Sequence, residues 1–202
     1  MPLIETAPLI LALAAVIGYL TGSIPFGVLL ARLFGLGDLR DVGSGNIGAT
    51  NVLRTGNKLA AFLTLVFDAA KGGVMVLIIR AVVAEDAAQL AGLCAFLGHL
   101  YPIYLGFKGG KGIATGAGTL LAVSWPVGLA CCLTWLVVAA AGRMSSLASL
   151  AAAASAILWA ILLNQSHVAV LAGVMVVLVF VAHRENIARL KAGTEPKIGQ
   201  KP

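Results

Sequence analysis

The sequence predicts an all-α, polytopic integral membrane protein, and three observations carry that prediction. Hydrophobic residues make up 60% of the 202-residue chain, charged residues only 11%, and mean hydropathy is +1.00. Ordinary globular domains carry roughly 25% charged residues. Apolar runs of membrane-crossing length recur from end to end, and in hydrocarbon such runs satisfy their own backbone polar groups by forming helices. No polar segment is long enough for a separate soluble domain, so residues 1–202 form a single membrane-embedded domain.

The first apolar run extends from Leu3 to Leu33. The stretch before Leu20 holds Glu5 but no Lys or Arg, so it lacks the basic region of a signal peptide and reads as a retained span. Ser23-Ile24-Pro25-Phe26-Gly27 interrupts the run, and Pro25 predicts a kink whose freed carbonyl needs a polar neighbour. Gly35 to Asn57 is the first polar loop. The second run, Lys58 to Ala84, carries Asp68 and Lys71 at i and i+3, placed to pair on one helix face. Glu85-Asp86 reads as a short loop before a third run, Ala87 to Leu105.

Ile113 to Ala141 is either one long helix kinked at Pro126 or two short ones turned at Ser124-Trp125-Pro126. Ser146 to Leu163, a loop at Asn164 to His167, and a last run from Val168 to Ala182 follow, before a basic tail from His183 to Pro202. Cys94, Cys131 and Cys132 lie in apolar runs without metal-ligand spacing, so packing is their expected role.

Charge decides the expected topology. The net charge is +6, from 14 Lys and Arg against 8 Asp and Glu. Arg40, Arg54, Lys58, Lys108, Lys111, Arg143, Arg184, Arg189, Lys191, Lys197 and Lys201 fall in four segments, and only Arg80 stands in another connector. The positive-inside rule puts those four in the cytoplasm and the amino end outside. Lys111 and Arg143 then share a side, so an even number of crossings separates them. Two helices turned at Trp125-Pro126 meet that condition, giving a bundle of seven transmembrane helices with a cytoplasmic carboxyl end. The first of the pair, Ile113 to Val123, is too short to cross fully.

Three polar islands face that one leaflet. In the first, Gly43, Gly45 and Gly48 let the backbone turn tightly and aim N–H groups at one point, as phosphate-binding loops do. Ser44, Asn46, Thr50 and Asn51 add side-chain donors, and Arg54 adds a forked cation. The plainer reading is a connector with Thr50 or Asn51 capping the next helix. The second island runs from Gly98-His99 through Phe107 to Gly112, where Lys108 and Lys111 stand among glycines. His99 itself lies in the helix interior and is expected to be a packed, hydrogen-bonded core residue. The third begins at His183; if the last helix continues there, His183 and Asn186 share a face.

Several activities are excluded. Gly43 to Gly48 fits a dinucleotide fingerprint, with Asp68 20 residues beyond, but no strand precedes it and Asp68 is buried in hydrocarbon. The Lys-Gly loop has Leu105 where a P-loop needs glycine and Gly112 where it needs Ser or Thr. What survives is anion binding by loops leading into helix amino ends. Ser44 has no neighbouring His with an orienting partner, so no triad is indicated. None of His99, His167 or His183 has Asp five residues on, so the His-x4-Asp pair of acyl-CoA-dependent acyltransferases is absent. An organic-phosphate transporter or channel would use similar loops. It would typically show inverted repeats, and the likeness of Gly45-Asn-Ile-Gly-Ala-Thr to Gly110-Lys-Gly-Ile-Ala-Thr does not extend to the flanking helices.

Asp38-Leu-Arg40 through Asn51 and Arg54, Gly98-His99 through Gly112, and His183 through Glu195 together resemble the three signature segments of the bacterial acyl-phosphate:glycerol-3-phosphate acyltransferase family. Phe67 to Gly72 and Arg143 to Ser146 resemble further family segments, so the likeness covers essentially the whole chain. The resemblance implies transfer of a fatty acyl group from acyl phosphate to the 1-hydroxyl of glycerol 3-phosphate, giving lysophosphatidic acid and inorganic phosphate. It implies a multi-pass protein of the bacterial inner membrane with a cytoplasmic site, no cofactor or metal, and no nucleic acid. Membrane lipids and the enzyme making acyl phosphate from acyl carrier protein are the implied partners. Ser44, Asn46, Thr50, Asn51 and Arg54 match the family's phosphate-binding loop, and Lys108, Lys111, Ser146, His183 and Asn186 match polar positions around the same groove. Of these, Ser44, Arg54, Lys108, His183 and Asn186 are the expected catalytic set, and Gly43, Gly45 and Gly48 shape the cradle.

Overall fold

The computed structural model describes residues 2–199, so Lys201 of the basic tail lies outside the described residues. Ten α-helices form among the described residues: α1 Pro8–Gly22, α2 Phe26–Leu33, α3 Ala49–Arg54, α4 Lys58–Val82, α5 Glu85–Leu100, α6 Ile113–Val123, α7 Trp125–Gly142, α8 Ser145–Leu162, α9 Ala169–Ala182 and α10 Arg184–Lys191. Five segments are long and apolar enough to cross a membrane: Pro8–Leu33, Lys58–Val82, Glu85–Leu105, Trp125–Gly142 and Ser145–Leu162. A sixth is the pair Ser166–Ala182 with Arg184–Lys191, bent by 63°.

The first apolar run is therefore two helices, and it starts at Pro8 rather than Leu3. The break at Ser23 to Pro25 leaves the Ile24 carbonyl outside the ladder, and Lys71 Nζ donates to it at 2.9 Å. Lys71 also lies 3.0 Å from Asp68 Oδ1, the expected i, i+3 pair, with both side chains nearly inaccessible.

Glu85 and Asp86 do not form a loop. They open α5, and only Val83 and Ala84 separate it from α4. Carboxylates are favoured in a first turn, where they meet unpaired N–H groups. Asp86 also accepts from the Glu5 and Thr6 amides at 3.0 and 2.9 Å and from the Thr6 hydroxyl at 2.6 Å.

Ile113 to Ala141 is two helices, with Ser124 the only residue between them. A helix of 11 residues rises about 16 Å, about half of a ~30 Å hydrocarbon core. Arg80 fixes its far end by donating to the Ala122 carbonyl at 2.5 Å and the Val123 carbonyl at 3.3 Å. The same guanidinium grips Glu85 at 2.6 and 3.0 Å. Ser124 donates to Gln165 at 3.1 Å, so Thr6, Arg80, Glu85, Asp86, Ser124 and Gln165 gather at one end of the bundle.

Small residues let the helices touch. Gly18 and Gly22 of α1 lie against the backbones of Ala91 and Ala95 of α5, so closely that neither glycine has room for a Cβ. Such small-residue seams drive helix association where lipid removes the hydrophobic incentive. Phe96, Val76 and Val127 are fully buried at the centre, while Leu13, Val16, Phe62, Leu136, Leu158 and Val177 are exposed outward, as a lipid-facing surface requires.

Candidate functional site

The end of the bundle opposite Arg80 carries the three polar islands. The first is a compact loop organised by one buried side chain. Asn51 donates to the Leu39 carbonyl at 2.8 Å and accepts from the Ser44 amide at 3.1 Å and the Ser44 hydroxyl at 3.3 Å. It is therefore a brace and does not cap a helix. The N-cap of α3 is Gly48, held by Asn46 Oδ1, which accepts the Gly48 N–H at 2.9 Å. Thr50 and Asn51 fall inside the first turn, and the Thr50 hydroxyl meets Ser145 Oγ at 3.2 Å.

Gly43 adopts φ +51°, and Arg54 lies directly over it. A Cβ there would stand 2.6 Å from Arg54 Cδ and 2.7 Å from a guanidinium nitrogen. The glycine thus lets the cation fold back onto the loop, which composition alone does not reveal.

The Lys-Gly loop is pinned to the end of α5. The Gly109 and Gly110 amides donate to the carbonyls of Leu100 and His99 at 3.2 and 3.0 Å. Gly112, at φ +79°, caps α6. The two lysines part ways here. Lys108 is exposed and its side chain makes no hydrogen bond or ion pair among the described residues. Lys111 turns inward and donates to Asn186 Oδ1.

The last helix does not run straight through His183; α9 ends at Ala182 and α10 leaves at an angle. At the bend the Val179 carbonyl accepts the His183 amide at 3.0 Å, and the imidazole Nδ1 lies 2.9 Å from the same oxygen. A carbonyl only accepts, so Nδ1 carries the proton and Nε2 keeps its lone pair. Burial lowers the His183 pKa to about 4; the Val179 carbonyl opposes that shift and nearby Lys111 adds to it. Lys111 is lowered to about 8, first by burial, then by Arg189 and Arg54 against the pull of Glu195 and Glu185. Lys111 thus lies within the field of Arg54, and His183 within that of Lys111, although the three come from distant segments.

Glu195 is the residue that the sequence reading left out of the site. It accepts from Asn186 at 2.6 Å and from Arg189 at 2.7 Å. Burial raises its carboxyl pKa, but contacts from Ser146, Asn186 and Arg189 outweigh that and hold it below the ordinary value. Ser146 Oγ is buried beside it, short of full hydrogen-bond geometry. The signal was present: an acidic residue in a basic tail, nine positions from Asn186. The tail then returns to the bundle, where the Ile198 amide donates to the Arg143 carbonyl at 2.6 Å.

These features define a polytopic helical membrane protein with a polar, cationic rim built from several chain segments. The glycerol-3-phosphate acyltransferase family model matches residues 12–193. Glycerol-3-phosphate acyltransferases of Cereibacter sphaeroides (strain ATCC 17025) and Jannaschia sp. are each 62% identical, over 100% and 98% of this chain and 96% and 98% of their own lengths. Crystal structures of PlsY, an integral membrane glycerol 3-phosphate acyltransferase, superpose with TM-scores of 0.88 in its glycerol 3-phosphate form and 0.85 in its lysophosphatidic acid form. Those chains are 42% and 38% identical; the matches cover 94% of this chain and 96% and 95% of theirs. The chain belongs to the glycerol-3-phosphate acyltransferase family, and it is an enzyme.

Proposed function

We propose that the enzyme transfers a fatty acyl group from acyl phosphate to the 1-hydroxyl of glycerol 3-phosphate, releasing lysophosphatidic acid and inorganic phosphate. The observation that carries this reading is the convergence of Arg54, Lys111 and His183 at one rim of an apolar bundle. Both substrates bring a phosphate, and one brings a chain that must lie in the bilayer. A cationic pocket at a membrane edge serves both needs. In the related PlsY structures, the bound forms are named for glycerol 3-phosphate and lysophosphatidic acid, which supports that substrate and product here.

In this reading Gly43, Gly45, Gly48, Asn46 and Thr50 form the cradle, and Arg54 and Lys111 neutralise the two phosphates. Lys108, exposed at the rim, adds to the field that draws them in. Ser44 and Asn186 position the glycerol, Asn51 and Ser146 support them, and Nε2 of His183 accepts a hydrogen bond from the 1-hydroxyl. The hydroxyl oxygen attacks the acyl carbonyl carbon, the carbonyl–O(phosphate) bond breaks, and the departing phosphate takes the proton. A histidine titrating near 4 orients the hydroxyl better than it deprotonates it. Acyl phosphate is already activated, so no acyl-enzyme is needed. A stable acyl-Ser44 in mass spectra after a single turnover contradicts that step.

The membrane arrangement follows the same logic: seven spans, counting the short α6, with the amino end outside and the site and carboxyl end facing the cytoplasm of a bacterial inner membrane. The positive-inside rule supports it, since the rim carries Arg54, Lys58, Lys108, Lys111, Arg143 and Arg189. The deciding assay uses purified enzyme with acyl phosphate and glycerol 3-phosphate. Lysophosphatidic acid and phosphate form in equal amounts; a requirement for acyl-CoA or acyl carrier protein overturns the donor. Arg54→Ala raises the KM for glycerol 3-phosphate and lowers kcat/KM, and an unchanged kcat/KM removes Arg54 from the site.

A further inference from the structure

Asp68, Lys71 and His99 form a polar cluster inside the bundle. All three are at least 95% buried. Charges at such depth are costly and persist where something holds them. A simple helix clamp would need only Asp68 and Lys71. Here the cluster extends in two further directions.

On one side, Lys71 donates to the Ile24 carbonyl at the break between α1 and α2. Gly27, in the first turn of α2, lies so tightly against the Ile47 carbonyl that it has no room for a Cβ. The Lys71 bond therefore fixes the element on which the Gly43–Asn51 loop rests. On the other side, His99 Nδ1 stands 3.6 Å from the same Asp68 oxygen that Lys71 approaches. The Nε2 edge of the ring abuts Gly110, which likewise has no room for a Cβ, and the His99 carbonyl accepts the Gly110 amide at 3.0 Å.

We propose that Asp68, Lys71 and His99 are a positioning network that sets the distance between the two glycine-rich loops, and so between the two bound phosphates. One carboxylate serves as the common datum, with Lys71 relaying it to the first loop through α2 and His99 relaying it to the second through Gly110. Small misplacements at a reaction centre cost large factors in rate and affinity, which gives the network its value. The proposal rests on the reading of both loops as phosphate-binding.

The test uses full-length enzyme in detergent or nanodiscs, with glycerol 3-phosphate as probe. His99→Leu and Lys71→Met raise its KM about tenfold while kcat changes less than about threefold. Calorimetric titration shows the same loss of affinity without any acyl donor. His99→Asn, whose amide nitrogen stands near the Nδ1 position, restores KM to within about threefold of the parent enzyme. Gly110→Ala, which presses on the ring from the loop side, reproduces the His99→Leu effect. A merely structural role would lower the active fraction, reducing kcat at constant KM. Unchanged KM in His99→Leu, Lys71→Met and Gly110→Ala overturns the proposal, and if the first two fail to accumulate, Gly110→Ala and His99→Asn decide it. An unsubstituted enzyme that neither binds glycerol 3-phosphate nor responds to Arg54→Ala instead removes the reading of the loops.

Discussion

Lys111 and Asn186 are hydrogen-bonded across 75 positions of sequence, and that single contact closes the rim. It joins the Lys-Gly loop to α10, and Asn186 passes the connection to Glu195, which holds Arg189. Thr50 and Ser145 make the corresponding link on the other side, from the first loop to the start of α8. Hydrogen bonds thus tie four chain segments together at the rim.

Asn186 is the middle of that chain, so its loss is felt at both ends. Asn186→Ala leaves the buried Glu195 carboxylate short of one donor and Lys111 without its anchor, at a cost of about 1–3 kcal/mol in stability. Because Lys111 then drifts from its place, kcat/KM falls roughly ten- to a hundredfold. Steady-state kinetics with thermal unfolding check both. A stability loss with unchanged kcat/KM would make Asn186 purely structural.

The rim has a built-in pH dependence. The Lys111 pKa is lowered from 10.5 to about 8, so the ammonium loses its proton as pH rises through 8. Phosphate affinity falls with it, and the KM for glycerol 3-phosphate climbs above pH 8. His183, titrating near 4, stays neutral throughout and does not contribute to that change. Between pH 8 and 10.5 the unfolded chain binds more protons at Lys111 than the folded one, so this group's contribution to stability rises while affinity falls. Lys111→Arg keeps its charge and flattens the KM profile. An unflattened profile assigns the pH effect elsewhere.

Gly43→Ala tests the cradle without removing any functional group. The residue sits at φ +51°, and an added methyl would collide with the Arg54 side chain and press on Asn51 Oδ1. The guanidinium must swing away, so KM for glycerol 3-phosphate rises in the direction of Arg54→Ala, by about tenfold. Gly35→Ala has a similar positive φ but open space around it, and serves as the control. It carries the backbone strain without the collision, and KM stays near the parent value.

The difference between Gly43 and Gly35 marks where sequence legibility ends. Hydropathy and charge spacing were enough to find the helical runs, the turn at Ser124 and the Asp68–Lys71 pair, because each is a local or periodic property. The bend at His183 was not legible, since no proline or glycine marks it in the sequence. In sequence, Glu85 and Asp86 break an apolar run and so resemble a loop, whereas a first turn is where carboxylates are welcome. The choice of Lys111 over Lys108 for the interior needed the fold, as both sit among the same glycines. Glu195 escaped for a related reason: its partners are brought to it by the return of the tail.

Arg80 offers the opposite kind of test, at the far end of the bundle. It stood out in sequence as the one cation among the connectors away from the basic segments, and the structure gives it a task. Its guanidinium satisfies the Ala122 and Val123 carbonyls at the end of the short α6 and pairs bidentately with Glu85. Orphan carbonyls near hydrocarbon are costly, and Arg80 supplies donors to two of those at the end of α6. Arg80→Ala lowers stability by about 2 kcal/mol, discounted because the side chain is one-third accessible. Arg80→Lys keeps the charge but loses the fork, and recovers only part of it. Neither variant touches the rim, so KM for glycerol 3-phosphate stays within about twofold in the folded fraction. A large KM shift with intact stability would mean that the two ends of α6 are coupled.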